Sequence, residues 1–210
     1  MDKREFAIEV INRLKKVYEP KIALKFRDPW ELLVATILSA QTTDERVNMI
    51  TEKLFKKYKT IEDYIKVPLE ELEQDIKSVN YYKTKAKNIK SCAQIILDEY
   101  GGKVPDTMEE LLKLPGVARK TANVVLSAGY GKSEGIVVDT HVSRLSERFK
   151  LSEEKDRDKL EKELMSIIPQ EEWTDFSYLL ISHGRNVCKA KNPICESCIL
   201  KDICPSAFKV

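Results

Sequence analysis

The amino-acid sequence predicts an all-α protein, because apolar residues recur every three or four positions along nearly the whole chain. No alternating run of apolar and polar residues, and no two-residue hairpin turn, indicates a β-sheet. Three runs near the N-terminus carry the helical spacing most clearly: Phe6, Val10, Leu14, Val17; then Leu33, Val34, Ile37, Leu38; then Val47, Ile50, Leu54, Tyr58.

Capping residues mark where the predicted helices begin and end. Asp28 stands three residues before Glu31, and Thr42 and Thr107 each stand three residues before a glutamate, the spacing of a capping box. The glycine pair at 101–102 ends the preceding helix, because glycine readily adopts the left-handed conformation of a helix end. Later helices are predicted at about 142–149, 155–168 and 171–186.

Composition and charge exclude few functions on their own. The chain has 210 residues, with 36 lysines and arginines against 34 aspartates and glutamates, so its net charge of +2 does not by itself argue for nucleic acid. No apolar run approaches the length of a membrane span, and the charged N-terminus lacks the apolar stretch of a signal peptide. We therefore expect a soluble, cytoplasmic protein without a membrane partner.

Basic residues are concentrated in two short stretches, and each stretch allows two interpretations. The residues could line a groove that faces DNA, or they could form the solvated faces of charged helices. The two stretches contain Lys83, Lys85, Lys87 and Lys90, and Arg185, Lys189 and Lys191.

The run LPGVARKTAN at 114–123 combines a turn with a reactive amine. Pro115 and Gly116 predict a tight turn between two helices, so that the amides from Gly116 to Ala118 open the second helix with unpaired N–H groups. Such a helix end suits a phosphate. Lys120 then falls within the first helical turn, where a free amine could attack a sugar carbon and form a Schiff base.

A carboxylate follows at Asp139, just before another predicted helix. Both groups also have simpler interpretations. Lys120 could be solvated or could contribute only charge beside a phosphate, and Asp139 could be a plain helix N-cap. His141 and His183 are interpreted as structural residues rather than catalytic ones.

Four cysteines near the C-terminus are separated by six, two and five residues. Four thiolates so close together predict a metal centre, and the residues alone leave open whether iron–sulfur or tetrahedral zinc occupies it. A disulfide is less favoured, since cytosolic thiols stay reduced. The fifth cysteine, Cys92, shares an apolar helix face with Ile89 and Ile96 and is assigned to core packing. The four clustered cysteines are Cys188, Cys195, Cys198 and Cys204.

Together these motifs resemble the endonuclease III family of helix-hairpin-helix DNA glycosylases. The likeness covers nearly the whole chain in the family's order. It rests on the segments LSAQTTD at 38–44, LPGVARKTAN at 114–123, VDTHV at 138–142 and HGR at 183–185, together with the spacing of the four cysteines.

The resemblance implies two helical lobes with a DNA-binding cleft between them. The first lobe would be a six-helix barrel module at about 23–131, and the second would combine 1–22 with 132–210. A [4Fe–4S] cluster would be held by the loop at 188–204, with an architectural and electrostatic role. Gln41, the hairpin and Asp139 would meet at the cleft.

The resemblance also assigns roles to single residues. Lys120 would be the nucleophile, and Asp139 would accept a proton and stabilise positive charge on the sugar. Gln41 would enter the space that an extruded nucleotide leaves, and Tyr81 occupies a second wedge position that is usually apolar in the family. The amides of Gly116 and Ala118, with Lys189 and Lys191, would contact DNA phosphates. Three positions depart from the family pattern. One is Tyr81, and the others are Asn80 and Ala118, which both stand where glycine is common.

The implied function is that of a bifunctional DNA glycosylase and abasic-site lyase that removes damaged, oxidised pyrimidines in base excision repair. Its partner would be double-stranded DNA with damaged bases or abasic sites, and we expect a monomer associated with the nucleoid. Alternatives are a uracil or thymine mismatch glycosylase of the same family, which Lys120 disfavours in the thymine-specific case, and a non-catalytic helix-hairpin-helix DNA-binding protein. A small iron–sulfur electron carrier would leave the hairpin without a role.

Overall fold

The computed structural model describes residues 2–210, and all regular structure in that range is helical. The α-helices of this range are α1 (Lys3–Lys15), α2 (Pro29–Ser39), α3 (Asp44–Lys57), α4 (Ile61–Lys66), α5 (Leu69–Asp75), α6 (Tyr82–Tyr100), α7 (Met108–Leu111), α8 (Arg119–Val124), α9 (Thr140–Arg148), α10 (Arg157–Ile167) and α11 (Trp173–Asn186). A π-helical turn at Val125–Gly129 continues α8, and short 3-10 turns occupy Gln170–Glu172 and Cys195–Ser197.

The chain divides into two compact units. One is the continuous segment Ala23–Lys132, which contains α2 to α8. The other combines the chain up to Ile22 with Ser133–Val210, and so contains α1 and α9 to α11. Within residues 2–210, no helix has both the length and the apolar character that crossing a membrane requires.

Helix α2 is the centre of the Ala23–Lys132 unit. Asp28 accepts a hydrogen bond from the Glu31 amide and Pro29 supplies the first helical residue, so the helix begins where the sequence predicts. Every residue from Trp30 to Leu38 is buried, because α3, α6, α8 and the π-helical turn pack around this helix. The segment's nearly continuous apolar composition reflects this burial on all sides.

The second unit has its own apolar core. Helix α11 packs against α1 and α9, and α10 also contacts α1. Phe6 and Phe149 meet edge-to-face in this core, and Phe176 is fully buried there. Leu200, from the cysteine-rich segment, is also part of the core, so this segment is anchored to the helices by burial of apolar surface.

Most predicted helix ends are confirmed, and the differences have local causes. Thr107 caps α7 and Gly101, at φ +60°, ends α6. The prediction for Thr42 is wrong, because Thr43 is the N-cap of α3 and accepts from the Arg46 amide. The helix expected from 142 begins at Thr140 because Asp139 caps it, and the helix expected from 171 begins at Trp173, after a 3-10 turn.

Helices α7 and α8 form a hairpin whose turn depends on Gly116. This glycine has a φ of +77°, and the next amide, of Val117, donates to the Leu114 carbonyl at 3.1 Å. A Cβ atom added to Gly116 would lie 2.4 Å from Nδ2 of Asn88, on α6. Gly116 therefore meets two requirements, a left-handed backbone and close packing on a side chain.

Gly116→Ala should destabilise the protein more than Gly131→Ala does. Both glycines have positive φ values, but a Cβ at Gly131 would meet no atom within 4 Å. We expect Gly131→Ala to lower the free energy of unfolding by about 1–2 kcal/mol through the strained backbone, and Gly116→Ala to cost at least about 1 kcal/mol more through the contact with Asn88. Urea denaturation measures the difference, and Asn88→Ala in the Gly116→Ala background should remove it. Equal losses in the two single variants would contradict the packing argument.

Candidate active site and metal centre

The first turn of α8 presents backbone amides without a side-chain cap. Its N-cap residue is Ala118, which has an extended backbone and no side-chain oxygen that could accept from the amides that follow. Gly116 and Ala118 are both exposed. Because the first four amides of a helix lack intrahelical acceptors, this end of α8 is chemically suited to an external anion.

The carbonyl of Pro115, in the turn of the hairpin, accepts a hydrogen bond from a buried side chain. The thiol of Cys92 donates to the Pro115 carbonyl at 3.2 Å, and burial raises the pKa of this thiol to about 12. The thiol therefore stays protonated and able to donate at neutral pH. The prediction that Cys92 is a core residue is confirmed by its burial, and this hydrogen bond is an additional role.

Lys120 is the second residue of α8, and its side chain is exposed. The prediction that it lies in the first turn after the hairpin is confirmed. Lys120 thus belongs to the same first turn of α8 as the uncapped amides.

Asp139 is the N-cap of α9, in the other unit. Its Oδ1 atom accepts from the amides of His141 and Val142, both at 2.8 Å, so the cap fixes the orientation of the half-buried carboxylate. Both bonds are made to one oxygen, which leaves Oδ2 outside the cap. The N-cap interpretation is correct, and it is compatible with a second role for this group.

The two histidines lie in packed surroundings. His183 is 1% exposed, and burial lowers its pKa to about 4, so the ring is neutral at physiological pH. Burial also lowers the pKa of His141, whose Nδ1 lies 3.1 Å from Arg144 Nη2. A Cβ added to Gly184 would lie 2.7 Å from the same Nδ1 atom, which explains a glycine where α11 crosses α9.

Two loops of the Ala23–Lys132 unit present Gln41 and Tyr81. Both residues have left-handed backbones, with φ values of 56° and 57°, and both side chains are exposed. The loops are joined by Asn80, whose Nδ2 donates to the Gln41 carbonyl at 2.6 Å. Asn80 thus differs from the family's usual glycine by linking the two loops through its side chain.

The lysine-rich stretch does not form one DNA-facing surface. Lys83 and Lys87 are exposed, but Lys85 is 5% exposed and donates to the carbonyls of Leu38 and Ala40. Lys90 similarly donates to three carbonyls at the end of α4, at 2.6–2.9 Å. The groove interpretation is therefore wrong for Lys85 and Lys90. Each binds helix-terminal carbonyls, which favour a cation.

All four C-terminal cysteines line one pocket. Among residues 2–210, no group of three or more histidine, cysteine or acidic residues is close enough to hold a single metal ion. Four cysteine thiolates are the donor set that commonly binds a [4Fe–4S] cluster, so the residues present fit this group.

Two arginines of α9, which the sequence analysis missed, hold the loop after Cys188. Arg148 Nη1 donates to Cys188 Sγ at 3.1 Å and to the Lys189 carbonyl at 2.8 Å, and Arg144 Nη2 donates to the Cys188 carbonyl at 3.0 Å. Lys189 and Lys191 remain exposed on this loop. The sequence did contain a signal for this role, because Arg144 and Arg148 are one turn apart and therefore share one face of α9.

Comparison with known proteins identifies the same regions. Residues 34–170 match the HhH-GPD superfamily of base excision DNA repair proteins, and residues 188–204 match the iron–sulfur binding domain of endonuclease III. Endonuclease III from Synechocystis is 48% identical over 206 residues, covering 98% of this chain and 94% of the relative. The Bacillus subtilis enzyme is 51% identical over 183 residues, covering 87% and 83%.

A solved structure agrees at the level of the fold. The trapped endonuclease III–DNA covalent intermediate, an estranged-adenine complex, superposes with a TM-score of 0.91 and 45% identity, covering 99% of this chain and 97% of the other. Both the helical fold and the cysteine-rich segment are accounted for by these relatives. The chain therefore belongs to the endonuclease III family of helix-hairpin-helix base excision DNA repair proteins.

Proposed function

We propose that Lys120 and Asp139 carry out the reactions of a bifunctional DNA glycosylase and abasic-site lyase on oxidised pyrimidines in duplex DNA. The chain belongs to a family of such enzymes, and the observation that carries the assignment is the exposed amine of Lys120 beside the uncapped amides of α8. A backbone phosphate bound at those amides brings a sugar within reach of the amine.

Lys120 is the nucleophile in this proposal. Its amine attacks the anomeric carbon, the bond from that carbon to the base breaks, and the base leaves with the bonding electrons and takes up a proton. Opening of the sugar ring then gives the imine, a Schiff base between Lys120 and the sugar. Loss of a proton from the neighbouring carbon expels the 3′ phosphate, and water releases the enzyme from the imine.

Asp139 assists the step in which the base departs. The capping bonds to Oδ1 hold the carboxylate in one orientation, and Oδ2 is free of the cap to face the substrate. The carboxylate accepts the proton from the Lys120 amine and stabilises positive charge that develops on the sugar. Because the N-cap hydrogen bonds already fix the Asp139 carboxylate, little free energy is needed to orient it during the reaction step.

Extrusion of the damaged nucleotide leaves a gap in the duplex that must be filled. Gln41 and Tyr81 are suited to this, since both are exposed on loops tied together by Asn80. The ring of Tyr81, 65% exposed, can stack on neighbouring bases.

The segment 188–204 is the family's iron–sulfur domain and carries a [4Fe–4S] cluster. We infer that Cys188, Cys195, Cys198 and Cys204 are its four ligands. When bound, the cluster supplies a rigid, charged centre for the loop. Arg148 fixes this loop by donating a hydrogen bond to the Lys189 carbonyl. In this proposal the exposed side chains of Lys189 and Lys191 bind DNA phosphates.

We infer that the protein acts on chromosomal DNA in the cytoplasm. We also infer that it acts as a monomer, because Lys120, Asp139 and the four cysteines all belong to one chain. Lys120 argues against thymine-specific mismatch repair, where the nucleophile position carries another residue, and against a purely DNA-binding role. Neither alternative is favoured by a feature of the site.

Lys120→Ala and Asp139→Asn should fail differently. Lys120→Ala should abolish borohydride trapping at an abasic site but leave duplex binding within about tenfold, since the hairpin amides remain. Asp139→Asn should retain some trapping at a preformed abasic sugar yet lose most base release, because its carboxylate is needed when the glycosidic bond breaks. Robust trapping by Lys120→Ala would refute the assignment.

Purified protein should contain about four iron atoms and four labile sulfides per chain, by metal and sulfide analysis. Cys198→Ala should lower the iron content and destabilise the C-terminal segment more than it alters the chemistry. Stoichiometric zinc without iron in anaerobically prepared protein would overturn the cluster assignment.

Affinity for duplex DNA should fall steeply with salt. Lys189→Ala and Lys191→Ala should each reduce the slope of log affinity against log salt by roughly one unit. Lys155→Ala is the matched control, because the amine of Lys155 pairs with Glu147 at 2.7 Å on the surface. Unchanged slopes for both loop lysines would assign them to a solvated face.

A further inference from the structure

The C-terminal end of α2 is held by a buried lysine. Lys85 Nζ donates to the Leu38 carbonyl at 2.8 Å and to the Ala40 carbonyl at 2.6 Å. Ser39 is the last residue of the helix, and its end carries partial negative charge that an ammonium group complements. Two of the carbonyls just before Gln41 are therefore fixed by one side chain.

The residue after these carbonyls needs such support. Gln41 has a φ of 56°, a left-handed conformation that costs about 1–2 kcal/mol outside glycine. Its own carbonyl accepts from Asn80 Nδ2 at 2.6 Å. The carbonyls of Leu38, Ala40 and Gln41 thus all accept hydrogen bonds from side chains at or just before the start of α6.

The same segment carries Tyr81. The Lys85 amide donates to the Tyr81 carbonyl at 3.0 Å, which forms the first turn of α6. Lys85 is therefore linked through its backbone to one gap-filling residue and through its side chain to the loop of the other.

Burial of Lys85 is costly, which indicates that the amine has a specific task. The side chain is 5% exposed and both of its partners are neutral carbonyl oxygens. Burial lowers the pKa of Lys85 to about 8. An apolar side chain of similar length would fill the same space without the cost of desolvating an ammonium group, but it could not bind the carbonyls.

We propose that Lys85, assisted by Asn80, is a positioning residue that holds the Gln41 and Tyr81 loops as one rigid wedge for the gap in the duplex. This inference rests on the proposed function of Gln41 and Tyr81. Lys85 does not contact the substrate in this proposal. It acts by fixing the backbone from which Gln41 projects.

Lys90 provides a matched control on the same helix. It also donates to backbone carbonyls at a helix end, those of Tyr64, Ile65 and Val67. These carbonyls lie at the C-terminal end of α4 and do not belong to the segments that carry Gln41 or Tyr81. Lys85→Met and Lys90→Met therefore remove the same kind of interaction, but only the first changes the wedge.

The test compares two substrates under single-turnover conditions. One is a duplex with a single thymine glycol, which requires extrusion and a filled gap, and the other is a preformed abasic site in single-stranded DNA, which requires neither. Lys85→Met should slow base release from the duplex by about tenfold or more while strand cutting at the single-stranded site stays within about twofold. Lys90→Met should leave the ratio of the two rates unchanged, and Lys85→Arg should recover part of the duplex rate.

A double-mutant cycle shows whether Lys85 acts through Gln41. Adding Lys85→Met to Gln41→Ala should cause little further loss on the duplex, because the residue that Lys85 positions is already absent. Asn80→Ala, at an exposed position, should show the same substrate pattern with a smaller loss. If Lys85→Met does not fold, the substrate pattern of Asn80→Ala tests the proposal in its place.

The proposal would be overturned by equal losses on both substrates, by the same pattern in Lys90→Met, or by independent losses in the double mutant. Failure of the proposed function gives a different result, because the unaltered protein would then release no base from the duplex. If the unaltered protein is active, and Lys85→Met and Asn80→Ala both keep its full rate on the duplex, the positioning role of Lys85 is refuted. The proposed function is then unaffected.

Discussion

The unpaired backbone groups at helix ends are the constraint on which this structure depends. In an all-helical protein each end leaves several N–H or C=O groups without intrahelical partners. Here side chains bind many of them: Lys85 at the end of α2, Lys90 at the end of α4 and Asp139 at the start of α9. The start of α8 has no such side chain, because its N-cap residue, Ala118, has no side-chain acceptor. Helices α5, α6 and α11 also begin without a side-chain cap, but none of them follows the hairpin turn. The amides of α8 are therefore suited to bind a partner outside the protein, and Lys120 stands beside them.

The cysteine-rich segment also has backbone carbonyls that need hydrogen-bond donors, although it contains no long helix. Its irregular backbone has few ladder hydrogen bonds, so the guanidinium groups of Arg144 and Arg148 bind several of its carbonyls at once. Arg148 also reaches the sulfur of Cys188. Burial of Leu200 in the core anchors the other end of the segment. The loop that carries Lys189 and Lys191 is thus ordered by contacts that the protein itself provides, and the cluster would add to them.

Much of the fold follows from the sequence because helix periodicity and capping are local signals. Asp28, Thr107 and Gly101 mark helix ends in the structure as their chemistry predicts. The choice between Thr42 and Thr43 as N-cap could not be made, because both residues can cap and only the tertiary path of the loop selects one. The roles of Lys85 and Lys90 were also hidden. Charged residues are usually solvated, and the carbonyls that bind these two lysines come from segments far away in the chain. Asn80 was recognised as a departure from the family, but its bond to Gln41 depends on the meeting of two loops.

The central claim is that the amine beside the uncapped end of α8 performs the chemistry. The most direct measurement is to trap the complex of the unaltered protein with an abasic duplex by borohydride, digest it with nuclease and trypsin, and locate the sugar remnant by mass spectrometry. The account predicts that the remnant is attached to Lys120. Trypsin does not cut after a modified lysine, so the adduct should appear on a peptide that runs from Lys120 to Lys132. An unmodified peptide that begins at Thr121, together with a remnant on another lysine such as Lys83 or Lys87, would contradict the account.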